Sequence, residues 1–186
     1  ATIRKSATIR RRINSLGTVL KLSKHHDPTK QPEVILAIKR MHRKIGRAQQ
    51  QATPLTKQLL NQLLSNCDNS VRGLRNQVLL RLGYETMRRR SELCAFKFED
   101  ICQAPNGKLA IRINFSKTDQ FGTGKTLPIS QDLFDLLEKW KTIISDEGYI
   151  LRSISRHGHI GGNLHPASIS TILKALQKDL KVESDE

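Results

Sequence analysis

Apolar positions recur along this chain with the spacing of one helical face in several separate stretches, and in one place they switch to strict alternation. Ile9, Ile13, Leu16 and Leu20 predict a first helix within residues 1–24, with Ser6 or Thr8 as its N-cap. Val34, Ile38, Met41 and Ile45 repeat the pattern in a second helix, with Pro32 in its first turn and Gly46 at its stop. The polar stretch GRAQQQATP (46–54) has no hydrophobic period and reads as a linker. Thr56 then starts a helix through Leu59, Leu60 and Leu63. After a turn at Cys67 to Ser70, a longer helix runs from Val71 through Leu74, Val78, Leu79 and Leu82 to a corner of three arginines. A short helix restarts at Ser91.

Beyond this corner the period becomes two. Leu109, Ile111 and Ile113 alternate with polar residues, as in a half-buried strand, after a Pro105-Asn106-Gly107 turn. Thr126 to Ile129 reads as the returning strand, which makes 116–125 a hairpin loop. Leu133, Leu136, Leu137, Trp140 and Ile144 form a core-facing helical stripe, with Trp140 in the core. A short strand is expected at Tyr149 to Leu151, a flexible loop at HGHIGG, and a last helix after Pro166 with Ile169, Ile172, Leu173, Leu176 and Leu180. The predicted class is mainly α with a small antiparallel β-hairpin or sheet (α+β). Its domains would be a partial helical unit at 1–46, a linker at 47–54 and a larger unit at 55–186.

Charge narrows the function. Lys and Arg number 32 against 17 Asp and Glu, a net +15, and no acidic residue precedes Asp27. An excess of this size favours a polyanionic partner. Aromatic residues make up only 4%, which argues against base stacking on single strands and for contact with a duplex backbone. Arg10, Arg11 and Arg12 on the first helix, Lys39, Arg40, Arg43, Lys44 and Arg47 on and after the second, and Arg90 at the corner are the candidate DNA contacts. An arginine at a helix-to-helix corner calls for an anion of matching geometry, and a phosphate fits. Three cysteines, with no Cys-x-x-Cys spacing, read as free thiols, and the His25-His26 and HGHIGG histidines lack further ligands at metal spacing. No metal or other cofactor is expected. No apolar run nears the roughly 18 residues of a membrane span, so the chain reads as cytoplasmic with no membrane partner.

The residues around the corner carry a resemblance. Arg89-Arg90-Ser91-Glu92-Leu93, followed by Phe98-Glu99-Asp100-Ile101, resembles the Arg-x-Ser-Glu-Leu and Trp-x-Asp-Ile words of tyrosine recombinases, the phage integrase and Cre-like group. NFSKTDQFGTGKTLPIS is similar to that family's β-hairpin with its active-site lysine, here Lys117. ATIRRRINSL, the DPT turn, IKRMHRKIGR and the PLT restart resemble the later helices of its core-binding, SAM-like domain and the linker that follows.

The resemblance implies a site-specific recombinase that breaks and rejoins duplex DNA through a 3′-phosphotyrosyl intermediate. Arg89 would grip the scissile phosphate, Lys117 would protonate the leaving 5′-oxygen, and Glu92 would support the arginine. It also implies a bacterial, phage or mobile-element origin and a homotetramer on DNA, with a monomer expected for this stretch alone. Two departures stand out. Met87 and Arg88 occupy places where the family usually has glycine and leucine. No His-x-x-Arg word is present, and neither Tyr84 nor Tyr149 matches the nucleophile's place, so the chain reads as an interior fragment without the nucleophile. A non-catalytic DNA-binding protein on the same scaffold is the alternative. An RNA-binding basic protein would explain the charge but not the ordered words.

Overall fold

The computed structural model describes residues 4–48, 54–104, 107–113, 125–145 and 147–182. The chain divides into two compact units, Ala1–Pro54 and Leu55–Glu186. The first holds α1 (Ser6–Leu22) and α2 (Pro32–Ile45), joined through a 3-10 turn at Pro28–Lys30. Asp27 caps that turn: its Oδ1 accepts from Thr29 N at 2.9 Å and from Thr29 Oγ1 at 2.6 Å. The turn lies against Gly17 of α1, where a Cβ would come within 2.8 Å of Thr29 Oγ1. That close approach explains a difference from the sequence reading. The seam of α1 runs through Ile9, Ile13, Gly17 and Leu20, and Leu16 stands 50% exposed beside it. Neither Ser6 nor Thr8 is the N-cap of α1: Lys5 holds that place with extended backbone and Ser6 is the first helical residue. α2 turns Val34, Ile38 and Met41 inward and buries none of its residues fully.

The second unit is organised around a helix that is apolar on two sides. α3 (Lys57–Ser65) starts after Thr56 as expected and α4 (Val71–Thr86) after Ser70, and both are capped, Thr56 Oγ1 accepting from Leu59 N and Ser70 Oγ from Gly73 N, each worth about 1 kcal/mol. On one side of α4, Leu80 joins Leu60, Leu63, Cys67 and Leu176 in a small cluster. On the other, Leu74, Val78, Leu79 and Leu82 enter the main core. Burial on both sides is why α4 reads as apolar rather than as a clean single stripe.

After α4 come α5 (Arg90–Ala95), a 3-10 turn at Phe98–Asp100 and a three-stranded antiparallel sheet of β1 (Ile101–Gln103), β2 (Leu109–Ile113) and β3 (Lys125–Pro128) in that order. β2 is central, pairing Ile111 with both Ile101 and Leu127, and its Ile111 and Ile113 are buried while Arg112 faces out. The predicted loop at 116–125 lies outside the described residues up to Lys125, which already belongs to β3.

α6 (Gln131–Ile144) inserts Leu133, Leu137 and Trp140, all fully buried, at roughly 2–3 kcal/mol of transfer free energy each. The indole N–H of Trp140 donates to Ile150 O at 2.7 Å, so its one polar atom is satisfied in the core. Glu85 of α4 fixes the start of α6, accepting from Ser130 N at 2.8 Å and from Ser130 Oγ at 2.7 Å.

Two elements depart from expectation. Tyr149 to Leu151 is not a strand: Tyr149 makes a single bridge to Lys97, and the ladder begins at β4 (Arg152–Ile154). The HGHIGG stretch is not a flexible loop, since Ile160–Asn163 forms β5, antiparallel to β4. Glycine density suggested a loop, but at Gly161 the glycine lets Ser153 Oγ approach closely, since a Cβ there would come within 2.5 Å of it. α7 (Pro166–Val182) closes the unit, resting on α3 through Leu176 and on the main core through Ile169.

Between α4 and α5 the chain reverses on Met87, at φ 49° and ψ 35°. A side chain in this left-handed conformation is strained by about 1 kcal/mol, and Met87 is 68% exposed, so no packing repays it. Met87→Gly is expected to raise stability by about 0.5–1 kcal/mol, read as an upward shift of the thermal midpoint of the second unit.

Candidate functional site

Three consecutive arginines leave the Met87 corner in different directions. Arg88 is half-buried and turns back, its Nε donating to Thr86 O at 2.9 Å. Arg89 is the N-cap of α5 and Arg90 its first residue, both exposed. The Arg89 guanidinium donates from Nη1 to Glu92 Oε1 at 2.7 Å, and its backbone N–H lies 3.4 Å from Glu92 Oε2. Glu92 is therefore both the N-terminal acid of a short helix and the group that orients Arg89. Its side chain is 11% exposed against 55% for Arg89, so the carboxylate forms the wall and the guanidinium faces solvent. Arg90 reaches across to α7, its Nη1 donating to Ser170 Oγ at 2.6 Å.

These contacts place the N-terminal turns of α5 and α7 side by side. Arg89, Arg90 and Ser91 from one, with Pro166 and Ala167 from the other, line a cleft of about 500 Å³. At the mouth of α7, Ala167 N donates to His165 Nδ1 at 3.2 Å, so a ring caps the helix where the sequence offers no Ser or Thr. The cleft presents two guanidiniums, one paired with Glu92 and the other held by a neutral hydroxyl. Its chemistry is that of an anion site for a planar fork to grip.

The structure brings Arg89, Glu92 and Arg90 together. Lys117 lies outside the described residues. Arg10, Arg11, Arg12, Lys39, Arg40, Arg43, Lys44 and Arg47 are all exposed, in the first unit. Tyr84 packs against the Leu60–Leu176 cluster, and the Tyr149 ring lies under the Lys97 ammonium at 5.5 Å.

Two residues escaped the sequence reading. Ser170 could not have been found, since nothing marks a hydroxyl 80 positions from its arginine. Arg75 could, because it falls between Leu74 and Val78 in an apolar helix. It is only 4% exposed and donates from Nε to Asn76 Oδ1 at 3.0 Å and from Nη1 to Arg152 O at 3.2 Å. Burial first, and Arg72 one turn away second, push its pKa below the usual arginine value. The cysteines are free. Burial raises the Cys94 thiol and pushes Cys67 to about 11, which leaves both poor nucleophiles. No helix among the described residues is long and apolar enough to cross a membrane.

Comparison with known proteins bears on the family and the fold. The profile of the phage integrase family matches residues 53–185. An integrase/recombinase xerD homolog of Selenomonas ruminantium is 30% identical over 163 residues, covering 82% of this chain and 48% of the relative. The chain thus spans about half the length of that curated relative. The crystal structure of XerA recombinase aligns with a TM-score of 0.51 at 17% identity, over 94% of this chain and 61% of that one, a likeness of fold.

Removing the carboxylate tests the local reading of the corner. Glu92→Ala is expected to lower stability by about 1 kcal/mol in urea denaturation, through loss of its bonds at the α5 N-terminus. Ser91→Ala, which removes no bond seen at the corner, should change it by much less.

Proposed function

Because the chain belongs to the phage integrase family of tyrosine recombinases, we propose that it binds duplex DNA and supplies part of the active site for breaking and rejoining its strands. The observation that carries this reading is the cleft between the starts of α5 and α7, with Arg89 at its mouth and Glu92 behind it. Arg89 would hold the non-bridging oxygens of the scissile phosphate, where charge gathers in the transition state. A bidentate guanidinium suits two oxygens at once, and Glu92 keeps the fork oriented before DNA arrives. Lys117 would act as general acid on the leaving 5′-oxygen. Neither Tyr84, packed against apolar residues, nor Tyr149, beneath Lys97, is offered as the nucleophile. The exposed arginines and lysines of α1 and α2 would add backbone contacts that position the duplex without reading its sequence. The complete protein would work as a homotetramer on paired sites and this chain as a monomer off DNA.

Binding of this chain to a duplex should fall steeply with salt, because each neutralised phosphate contributes a log–log slope of about −0.9. Fluorescence anisotropy over a salt series is expected to give a slope equivalent to several phosphates; a shallow slope would sink the reading. Arg89→Ala should flatten the slope by about one. In a protein that also carries the nucleophile, Arg89→Ala should abolish strand cleavage while Arg90→Ala spares it, and the reverse would reassign the phosphate-gripping arginine.

A further inference from the structure

The β4–β5 hairpin gathers arginines that the proposed active site does not use. Arg72 and Arg75, one turn apart on α4, donate to Ser155 O at 2.5 Å and to Arg152 O at 3.2 Å, which fastens the hairpin to the helix. Arg152 itself donates to Tyr149 O at 2.9 Å and to Glu147 O at 2.8 Å. All three guanidiniums are held by backbone carbonyls, and among the described residues none of them, nor Arg156, is in an ion pair. A neutral carbonyl orients a guanidinium without cancelling its charge; for Arg72 the nearby Asp68 carboxylate offsets part of that charge, while Arg156 has no such neighbour within ion-pair distance among the described residues.

The turn above them is closed by three hydrogen bonds. Ser155 N donates to His159 O at 2.9 Å, Gly158 N to Ser155 O at 3.1 Å, and His159 N to Ser155 Oγ at 3.0 Å. Gly158 takes the left-handed place, φ 83°, that a three-residue hairpin loop requires. Arg156, His157 and His159 are thereby presented to solvent on a braced loop. Beside them is an open cavity of about 350 Å³, lined by Asp68, Ser70, Arg72, Ile154, Arg156 and Gly158. Its carboxylate, Asp68, is engaged by Ser70 Oγ at 2.6 Å and Ser70 N at 3.2 Å.

We propose that the Arg156 turn, with Arg72 beside it, is a second phosphate-binding site, which takes a backbone phosphate of the same duplex away from the Arg89 cleft. β5 and the residues after it lead from this turn to the start of α7. At ~3.3 Å per strand residue, the stretch from His159 to Pro166 keeps the turn within roughly 25 Å of the start of α7. That is less than one ~34 Å turn of duplex, a span one DNA molecule can bridge. The contact is electrostatic and blind to sequence. It rests on the reading that this chain binds duplex DNA.

The test is a salt series with random-sequence duplex for the wild type, Arg156→Ala, Arg156→Glu, Arg89→Ala and the Arg89→Ala/Arg156→Ala pair. Arg156 is exposed on a loop tip, and unchanged thermal midpoints will confirm folding. The expected result is about 5- to 20-fold weaker binding for Arg156→Ala, a slope flatter by about one, a larger loss for Arg156→Glu, and multiplicative effects in the pair. If the wild type binds steeply and the Arg156 variants bind within twofold of it, the second site is wrong while DNA binding stands. If the pair is no weaker than Arg89→Ala alone, the two arginines do not hold separate phosphates. If the wild type does not bind duplex at all, the functional reading fails and this site falls with it.

Discussion

The reversal of direction between α4 and α5 is made by one residue in the left-handed conformation, and the position of Arg89 depends on it. α4 cannot shift to relieve that strain, because it is buried on two sides, by Leu80 against α3 and α7 and by Leu74, Val78 and Leu82 against the main core. α5 is equally constrained, since Leu93 and Cys94 sit in the same core and Arg90 is tied to Ser170. With both flanks fixed, the turn at Met87 has one solution. That solution sends Arg89 to the mouth of the cleft with Glu92 already bound to it. The strain at Met87 is small beside the packing that enforces it, and it preorganises the corner.

Positive charge in the second unit is held in place mostly by neutral oxygens. Among the described residues, Arg75, Arg72, Arg152 and Arg90 are oriented by carbonyl or hydroxyl oxygens, and Arg89 has a carboxylate. Side chains held this way lose little further entropy on meeting an anion, and they retain most of their field. A net charge of +15 would otherwise be only a burden on folding. Under the proposed function, the exposed part of it at Arg89, Arg90 and Arg156 would face the DNA backbone.

Much of this was legible in the sequence, for reasons that differ by element. Helices with one apolar face, such as α6, and the alternating β2 follow directly from periodicity, and Thr56 marks the start of α3. The Arg89–Glu92 pair was legible because three residues apart on a helix means adjacent in space. The β4–β5 hairpin was not, because its strands are short, β5 is exposed throughout and its glycines imitate a loop. The Leu16 reading failed because a periodic stripe cannot register that Gly17 admits the Thr29 turn. The Arg90–Ser170 bond and the cleft it frames come from tertiary packing between segments 80 residues apart, beyond any local pattern.

If Arg89 in the α5–α7 cleft holds a DNA phosphate, the arginine Nε–H resonances of this chain will report it as a short duplex is added. Arg89 is expected to shift and become protected from solvent exchange in proportion to the DNA bound, while buried Arg75 stays in place. If the shifts are confined to Arg10, Arg11 and Arg12, with Arg89 unmoved at saturation, the cleft is not the phosphate site and the account is contradicted.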